Sequence, residues 1–198
     1  MASSSEKMDS KDLITTGVFC VLFFIATMVG GVMFAPNPVL TFFTPVAVAI
    51  FTGPIYMLLI QKVPKRGPMI ILGVIMGSML FLTGMFWIWA IACVVLGFVS
   101  GEIARAGNFK SLKLNTVAFM VYSLNPISSY VMLWLDKQSY VDYLVGKGTE
   151  AQYMEVMVQH AYGWVLPAMV VGTLVASYIS ASLGKKLVKK QFAKAGVV

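Results

Sequence analysis

The basic residues of this chain lie almost entirely in its two terminal stretches and in two of the connections between its apolar runs. Of the 15 lysines and arginines, only Lys137 and Lys147 fall elsewhere. Membrane proteins with several helices keep lysine and arginine mainly on the cytoplasmic side. When successive connections are assigned alternately to the two sides of the membrane, all the other basic residues fall on the same side. The pattern therefore predicts an even number of transmembrane helices, with both termini in the cytoplasm.

The composition excludes a soluble domain of this length. Hydrophobic residues make up 59% of the 198 residues and charged residues only 12%, whereas soluble domains carry roughly a quarter charged residues. A water-soluble fold of this size could not bury so much apolar surface. The net charge of +7 is spread over helix ends, which indicates orientation and anionic lipid rather than nucleic acid. We therefore expect one membrane domain without a separate catalytic domain.

The apolar sequence divides into six runs, and a helix needs about 20 apolar residues to cross a bilayer. Residues 35–38 end the first run, because their two prolines disfavour helix. Residues 69–104 are too many for one helix, and a break is expected near Thr83 and Gly84. We predict an all-α polytopic membrane protein with six spans at about 13–34, 39–60, 69–82, 85–104, 116–135 and 165–183, a membrane domain at 13–184, and cytoplasmic tails at 1–12 and 185–198.

The only long connection, residues 136–164, is predicted to lie on the outer side. Residues 146–149 indicate a turn, and a short helix is expected to follow at 150–161. On that helix Tyr153, Met157 and His160 share one face. Two alternatives remain open at this stage: the helix covers the outer mouth of the bundle, or it lies on the lipid as an interfacial helix.

The predicted spans lack the reactive groups that membrane chemistry requires. Ion-coupled carriers and intramembrane proteases need charged or reactive side chains at bilayer depth, and none lies there. Glu102 and Arg105, at the cytoplasmic end of the fourth span, are spaced to pair with each other. The sequence has no HExxH, no CxxC and no nucleotide-binding loop. We expect no enzyme activity, no metal site and no cofactor bound to this chain.

An aromatic, methionine-rich outer half could hold a small molecule, because ligand sites are mostly apolar with a few placed polar groups. Asn125 precedes Pro126 inside the fifth span, where it can hydrogen-bond a ligand or repair the helix. His160, the only histidine, can contact a substrate or anchor a helix at the water boundary. The candidate substrate-binding residues are Asn37, Trp87, Trp89, Asn125, Tyr130, Trp134, His160, Tyr162 and Trp164.

Small residues recur at every fourth position of the sixth span, and shorter stripes occur in the third span (Gly73, Gly77) and the fourth (Cys93, Gly97, Gly101). Helices in lipid associate closely along such stripes. They predict tight contacts inside the bundle or docking faces for another subunit. The stripe of the sixth span is Ala168, Gly172, Ala176, Ser180 and Gly184.

Short motifs at span ends carry a resemblance to a known family. They are Lys11-Asp12-Leu13-Ile14, Gly53-Pro54-Ile55-Tyr56-Met57 with Lys62-Val63-Pro64-Lys65-Arg66-Gly67, and Gly101-Glu102-Ile103 running into Arg105. In these motifs, and in the order of spans over nearly the whole length, the chain resembles the substrate-binding S components of bacterial energy-coupling factor (ECF) transporters. The subfamily that it resembles most closely is Trep_Strep.

The resemblance implies a six-helix subunit of the bacterial plasma membrane that captures a vitamin-like micronutrient from outside. It implies as partners a transmembrane scaffold subunit and two cytoplasmic ATPases, which use ATP to drive a toppling motion. The family docks through an Ala-xxx-Ala motif in the first span. The matching place here holds Thr16, Gly17 and Cys20, so that neither position of the motif is alanine.

The substrate stays open at this stage. An outer histidine, many methionines and several aromatic residues suit a tetrapyrrole such as haem, and they suit a generic apolar pocket equally well. The loop between the first two spans is short, so the segment 136–164 is expected to close the pocket. The alternative to a transporter subunit is a structural or assembly membrane protein that packs against partners without a small-molecule substrate.

Overall fold

The computed structural model describes residues 7–194, with side chains described from residue 7 to residue 185. Within this part every regular element is a helix, which confirms the predicted all-α class. Residues 1–6 and 195–198 of the predicted tails lie outside the described residues. The elements are α1 (Ser10–Val32), a 3-10 helix (Leu40–Phe43), α2 (Thr44–Lys62), α3 (Gly67–Leu82), α4 (Trp87–Ala106), α5 (Leu112–Tyr122), α6 (Ile127–Tyr130), α7 (Met132–Leu135), α8 (Lys137–Gly146), α9 (Ala151–Gln159) and α10 (Val165–Lys194).

Five helical stretches of the described chain are long and apolar enough to cross a membrane. The third predicted span, α3, is apolar but has only 16 residues. That is about 24 Å of helix, against a hydrocarbon core of about 30 Å. The five longer stretches are Ser10–Val32, Leu40–Lys62, Trp87–Ala106, Leu112–Leu135 and Val165–Lys185.

Local sequence signals explain where these helices begin. Asp9 and Asp12 form a capping box at the start of α1, in which each side chain accepts a hydrogen bond from the other residue's amide, at 2.7 and 3.0 Å. Pro45 and Pro68 lie in the first turns of α2 and α3. A proline there removes no hydrogen bond, because those amides have no partner within the helix.

The long helices form a closed ring. Going around it, α1 packs on α2, α2 on α10, α10 on α5, α5 on α4, α4 on α3, and α3 returns to α1. The turns that follow α2 and α4 carry Lys65, Arg66 and Lys110, and we call the end of the bundle where they lie the basic end. The short elements α6 to α9 lie at the opposite end, among the ring helices and the connection that follows α1.

Small residues allow the closest helix contacts in the ring. A methyl group added at Gly73 of α3 would lie 2.5 Å from the Cys93 carbonyl oxygen, and one added at Gly97 of α4 would lie 3.0 Å from the Gly73 Cα. Only glycine fits at these points. The stripes in the third and fourth spans therefore lie against each other inside the bundle, and their backbones approach closely.

The stripe of α10 lies mostly against α2. Ser180 donates a hydrogen bond of 2.6 Å to the Ile50 carbonyl, and a methyl group at Gly184 would lie 2.9 Å from the Met57 Cβ. Gly172 lies beside Val46, and Ala176 is buried. Ala168, nearest the end opposite the basic end, is exposed.

Ion pairs join three elements at the basic end. Lys65, in the turn after α2, lies 2.6 Å from the Asp12 carboxylate of α1. Glu102 of α4 pairs with Arg105 at 3.6 Å, as its spacing predicts, and also with Arg66. The pair with Arg66 crosses from α4 to the turn before α3. These contacts hold the start of α1 and the α2–α3 turn at the same level as the end of α4.

Residues 136–164, which are predicted to lie on the outer side and are called the outer segment below, contain one helix that the sequence analysis did not predict. Asp136 caps the start of α8, where its side chain accepts a hydrogen bond from the Ser139 amide at 3.2 Å. This helix was not predicted because its sequence is polar. The second helix, α9, lies within the predicted range 150–161. Between the two helices, Gly148 has a φ of +102°, a backbone conformation that favours glycine.

Replacing Gly73 by alanine is expected to destabilise the bundle, because its methyl group would meet backbone atoms of α4. Overpacking of this kind costs about 1–3 kcal/mol, and the thermal unfolding midpoint in detergent should fall by several degrees. Gly17→Ala is the matched control, because a Cβ at Gly17 meets nothing within 4 Å and alanine favours helix. An unchanged midpoint for the Gly73 variant would contradict the close contact of α3 with α4.

Candidate functional site

A cavity of about 570 Å³ lies at the end of the bundle opposite the basic end. Its volume is within the range of roughly 300–1,000 Å³ that small-molecule sites occupy. The walls come from the end of α1 and the loop that follows, the start of α2, the α3–α4 connection, α6, and the helices α8 and α9. Elements distant in sequence therefore build one concave site.

The buried part of the wall is uncharged. Its polar side chains carry hydroxyl groups, and its apolar side chains are aromatic rings and methionines. Hydroxyl groups both donate and accept hydrogen bonds, so such a wall matches a ligand with either kind of group. The buried hydroxyl residues of the wall are Thr27, Thr41, Thr44, Ser129, Tyr130 and Tyr140.

Hydrogen bonds hold several of these hydroxyl groups in place. The Tyr130 hydroxyl donates to the Thr41 carbonyl at 3.1 Å and lies 3.2 Å from the Thr41 Oγ1. Thr27 donates to the Phe23 carbonyl of its own helix at 2.9 Å. The Oγ1 of Thr44, although buried, has no hydrogen-bond partner within the described chain. A buried polar atom without a partner is costly, and a ligand in the cavity would provide one.

Asn125 holds the break in the fifth span and does not line the cavity. Its side-chain amide donates to the Tyr122 carbonyl at 2.6 Å. This carbonyl lacks its usual helical donor, because Pro126 has no amide, and it also accepts from the Asn125 backbone amide at 3.1 Å. The Asn125 Oδ1 accepts from the Trp89 indole at 2.6 Å and from the Cys93 thiol at 3.3 Å. Of the two roles considered for Asn125, the geometry matches helix repair, and the same side chain fixes the orientation of Trp89.

The outer segment closes one side of the cavity. The Tyr153 hydroxyl of α9 donates to the Ala35 carbonyl, in the loop after α1, at 2.8 Å. The Tyr143 hydroxyl of α8 donates to the Met85 carbonyl, before α4, at 3.3 Å. Burial raises the pKa of Tyr153 above its ordinary value, so this hydroxyl remains a neutral donor. The short loop after α1 also lines the cavity through Ala35.

Of the nine predicted substrate-binding residues, the structure brings Trp89 and Tyr130 to the cavity wall. Trp87 is 45% exposed and lies outside it. Trp134 packs beside Phe42, with ring centroids 6.5 Å apart, behind the wall. Tyr130 packs against the same Phe42 ring, with centroids 6.0 Å apart, but it also lines the cavity, whereas Trp134 does not.

The remaining candidates lie away from the cavity. The Asn37 side chain accepts hydrogen bonds from the amides of Val39 and Leu40 at 2.9 and 3.0 Å and so caps the 3-10 helix. The His160 Nδ1 lies 2.8 Å from the Val156 carbonyl, at the end of α9. Two further aromatic candidates, Tyr162 and Trp164, are exposed and stack on each other with ring centroids 6.5 Å apart.

The sequence analysis missed the threonines and serine of the wall. Hydroxyl residues inside apolar helices usually bond their own helix, as Thr27 does, so composition alone does not mark them. A usable signal was their position along the predicted spans. Thr41 and Thr44 lie at the start of the second span, and Thr27 lies towards the end of the first. Tyr153 and Met157 were predicted to share a face of the outer helix, and both line the cavity.

The predicted docking residues of α1 point in different directions. Thr16 and Cys20 are buried inside the bundle, at 0% and 1% exposure. Gly17 faces outward, with nothing within 4 Å of an added Cβ. Its neighbours on the helix surface, Leu13 and Val21, are exposed. The outer face of α1 is therefore an apolar surface with a notch at Gly17.

Comparisons with known proteins are consistent with a membrane bundle. A family model described as a hypothetical bacterial integral membrane protein (Trep_Strep) matches residues 10–194. The matched range runs from the first residue of α1 to the last residue of α10. No curated protein and no solved structure matches the chain.

Replacing Asn125 by leucine should destabilise the outer half of the bundle, because the Trp89 indole would lose its acceptor in a buried position. An unpaired buried donor costs about 1–3 kcal/mol, which thermal unfolding in detergent would detect. Trp89→Phe in the same background removes the unpaired donor and should recover part of the loss. If the double variant unfolds at or below the temperature of the single variant, the Trp89–Asn125 hydrogen bond does not have this role.

Proposed function

Because the chain belongs to the Trep_Strep family of bacterial integral membrane proteins, we propose that it captures a small molecule at the outer face of the cell membrane as the S component of an ECF-type importer. The observation that carries this proposal is the cavity of about 570 Å³ at the end of the bundle opposite the basic end. The preference of lysine and arginine for the cytoplasmic side makes the cavity end the outer one.

The path of α3 supports six crossings in spite of its length. It begins at Gly67, directly after the basic turn, and ends at Leu82, directly before the wall residues Thr83 and Gly84. It therefore connects the two ends of the bundle. With α3 counted, the number of crossings is even, and both termini lie on the cytoplasmic side.

The cavity does not continue to the basic end. Below it, the large side chains of Tyr56, Met57, Phe119 and Tyr122 fill the bundle and are essentially inaccessible to solvent. Such a chain can bind a solute from one side, but it has no open path to the other. Import therefore requires a movement of the protein, which fits a subunit powered by partner ATPases.

The outer face of α1 is the proposed contact for the scaffold subunit. Thr16 and Cys20 are buried, so the contact that we propose shifts to Gly17 and the exposed residues around it. A glycine notch allows another helix to approach closely in lipid. The scaffold subunit would in turn join this chain to two cytoplasmic ATPases that use ATP.

The proposed substrate is a vitamin-like micronutrient that fits an uncharged, hydroxyl-lined wall. The tetrapyrrole hypothesis was based in part on His160, which does not line the cavity and whose Nδ1 lies 2.8 Å from the Val156 carbonyl. A purely structural role predicts no retained solute, and the next experiment distinguishes the two functions.

Filling the cavity from α1 should abolish capture without disturbing the fold. Gly31 lines the cavity, and a Cβ there meets nothing within 4 Å, so the side chain of Gly31→Leu starts in open space and adds volume at the cavity. Gly17→Leu, on the same helix with the same open surroundings, is the control outside the cavity. Mass spectrometry of small molecules retained by protein purified in lipid nanodiscs should show the compound in the wild type and the control. At least a tenfold loss is expected in Gly31→Leu, and equal retention in all three would contradict capture in this cavity.

If the chain docks through α1, the same two variants should have the opposite effects on assembly of the complex. When the tagged chain is isolated from its native bacterium, the scaffold subunit and two ATPases should accompany the wild type and Gly31→Leu. Their yield should fall with Gly17→Leu, because the added side chain fills the notch. If the wild type brings no ATPase with it in detergent or in nanodiscs, the transporter proposal fails.

A further inference from the structure

The charged residues of the cavity lie only at its mouth. They are Lys147 and Glu150, both exposed and both in the connection between α8 and α9. The buried wall is uncharged, and an ionised group buried without a counter-charge is strongly disfavoured. A solute in this cavity therefore places its uncharged part inside and any charge at the mouth.

Glu150 differs from the other three acids of the outer segment. Asp136 accepts from the Ser139 amide, Asp142 accepts from Gln138 at 2.8 Å, and Glu155 accepts from Gln159 at 3.3 Å. Glu150 precedes α9, yet its side chain makes no capping hydrogen bond. Within the described residues it has no ion pair, and of these four acids it alone lines the cavity.

The aliphatic part of Lys147 lies beside Gly84 at the mouth of the cavity. Its Cβ and Cδ would lie 3.9 Å from a Cβ added at Gly84, on the facing rim. Its ammonium group lies 5.6 Å from the centre of the Tyr143 ring. No carboxylate among the described residues lies within ion-pair distance of it. It is also one of only two basic residues outside the cytoplasmic groups, and the other, Lys137, does not line the cavity.

The two charges are close enough to serve one small molecule. Only two residues lie between them, so their Cα atoms are at most about 11 Å apart, and both residues line the cavity. They are opposite in sign and do not pair with each other. A solute that carried an acidic and a basic group close together would satisfy both.

We propose that the captured solute is a zwitterion. Its anionic group binds Lys147, its cationic group binds Glu150, and its uncharged body occupies the cavity against the hydroxyl and aromatic wall. This inference rests on the proposed function, since it names the chemical class that the same cavity takes. Lys147 and Glu150 also belong to the outer segment, so binding of a zwitterion would hold this segment over the filled cavity.

The probe is a deproteinised small-molecule extract of bacterial cells. Compounds that bind a cation exchanger at acidic pH and an anion exchanger at basic pH form the amphoteric fraction, and the remainder forms the second fraction. Wild-type protein in nanodiscs is incubated with each fraction, and retained compounds are quantified by mass spectrometry. The variants are Lys147→Gln and Glu150→Gln, with Lys137→Gln and Glu155→Gln as controls in the same outer segment.

The wild type should retain a compound from the amphoteric fraction. Each mouth variant should lower its retention about tenfold, because a hydrogen bond to a charged group is lost, while the controls should match the wild type. Exchanging the charges, with Lys147→Glu and Glu150→Lys together, should restore part of the retention.

Retention from the second fraction alone, or equal retention by the mouth variants and the wild type, overturns the zwitterion inference and leaves capture itself intact. Retention of nothing from either fraction by any protein overturns the proposed function, and with it this inference.

Discussion

The hydrogen bonds of Asn125 connect the break in the fifth span to the wall of the cavity. Within a bilayer every backbone polar group needs a partner inside the protein, and Pro126 removes the amide that would bond the Tyr122 carbonyl in a continuous helix. The backbone and side-chain amides of Asn125 both donate to that carbonyl instead, at 3.1 and 2.6 Å. The side-chain oxygen of Asn125 holds the Trp89 indole, which forms part of the wall. The chain can therefore turn into α6 at this depth and still present an ordered site.

The two halves of the bundle have different packing, and the difference accounts for the proposed function. Towards the basic end, large buried rings such as Tyr56 and Phe119 fill the interior. Towards the outer end, the ring of helices is completed by short elements, and a space remains that α9 covers with Tyr153 and Met157. A bundle open on one side and filled on the other has room for a solute but no open path through it. The apolar face of α1 remains exposed on the outside of this bundle.

Features that depend on the polarity of the residues could be predicted from the sequence alone. Features that depend on the direction in which a side chain points could not. The all-helical class, the apolar runs that form the long helices and the Glu102–Arg105 pair follow from charge and periodicity. Trp87 and Trp89 look equivalent in sequence, but two residues on a helix differ by about 200° in direction. Trp89 lines the cavity, and Trp87 faces outward. His160 had the right chemistry for a ligand, but it comes after the part of α9 that reaches the cavity.

The sequence by itself determined that the chain is a helical membrane bundle with a basic end, because the preferences of charged and apolar side chains for water and lipid act residue by residue. Only the tertiary structure decided which side chains meet. The cavity joins residues from Thr27 to Met157, and their common position depends on glycine contacts such as that of Gly73 with α4. Lys147 began as an exception to the charge pattern of the chain, and packing of the outer segment brought it to the mouth of the site.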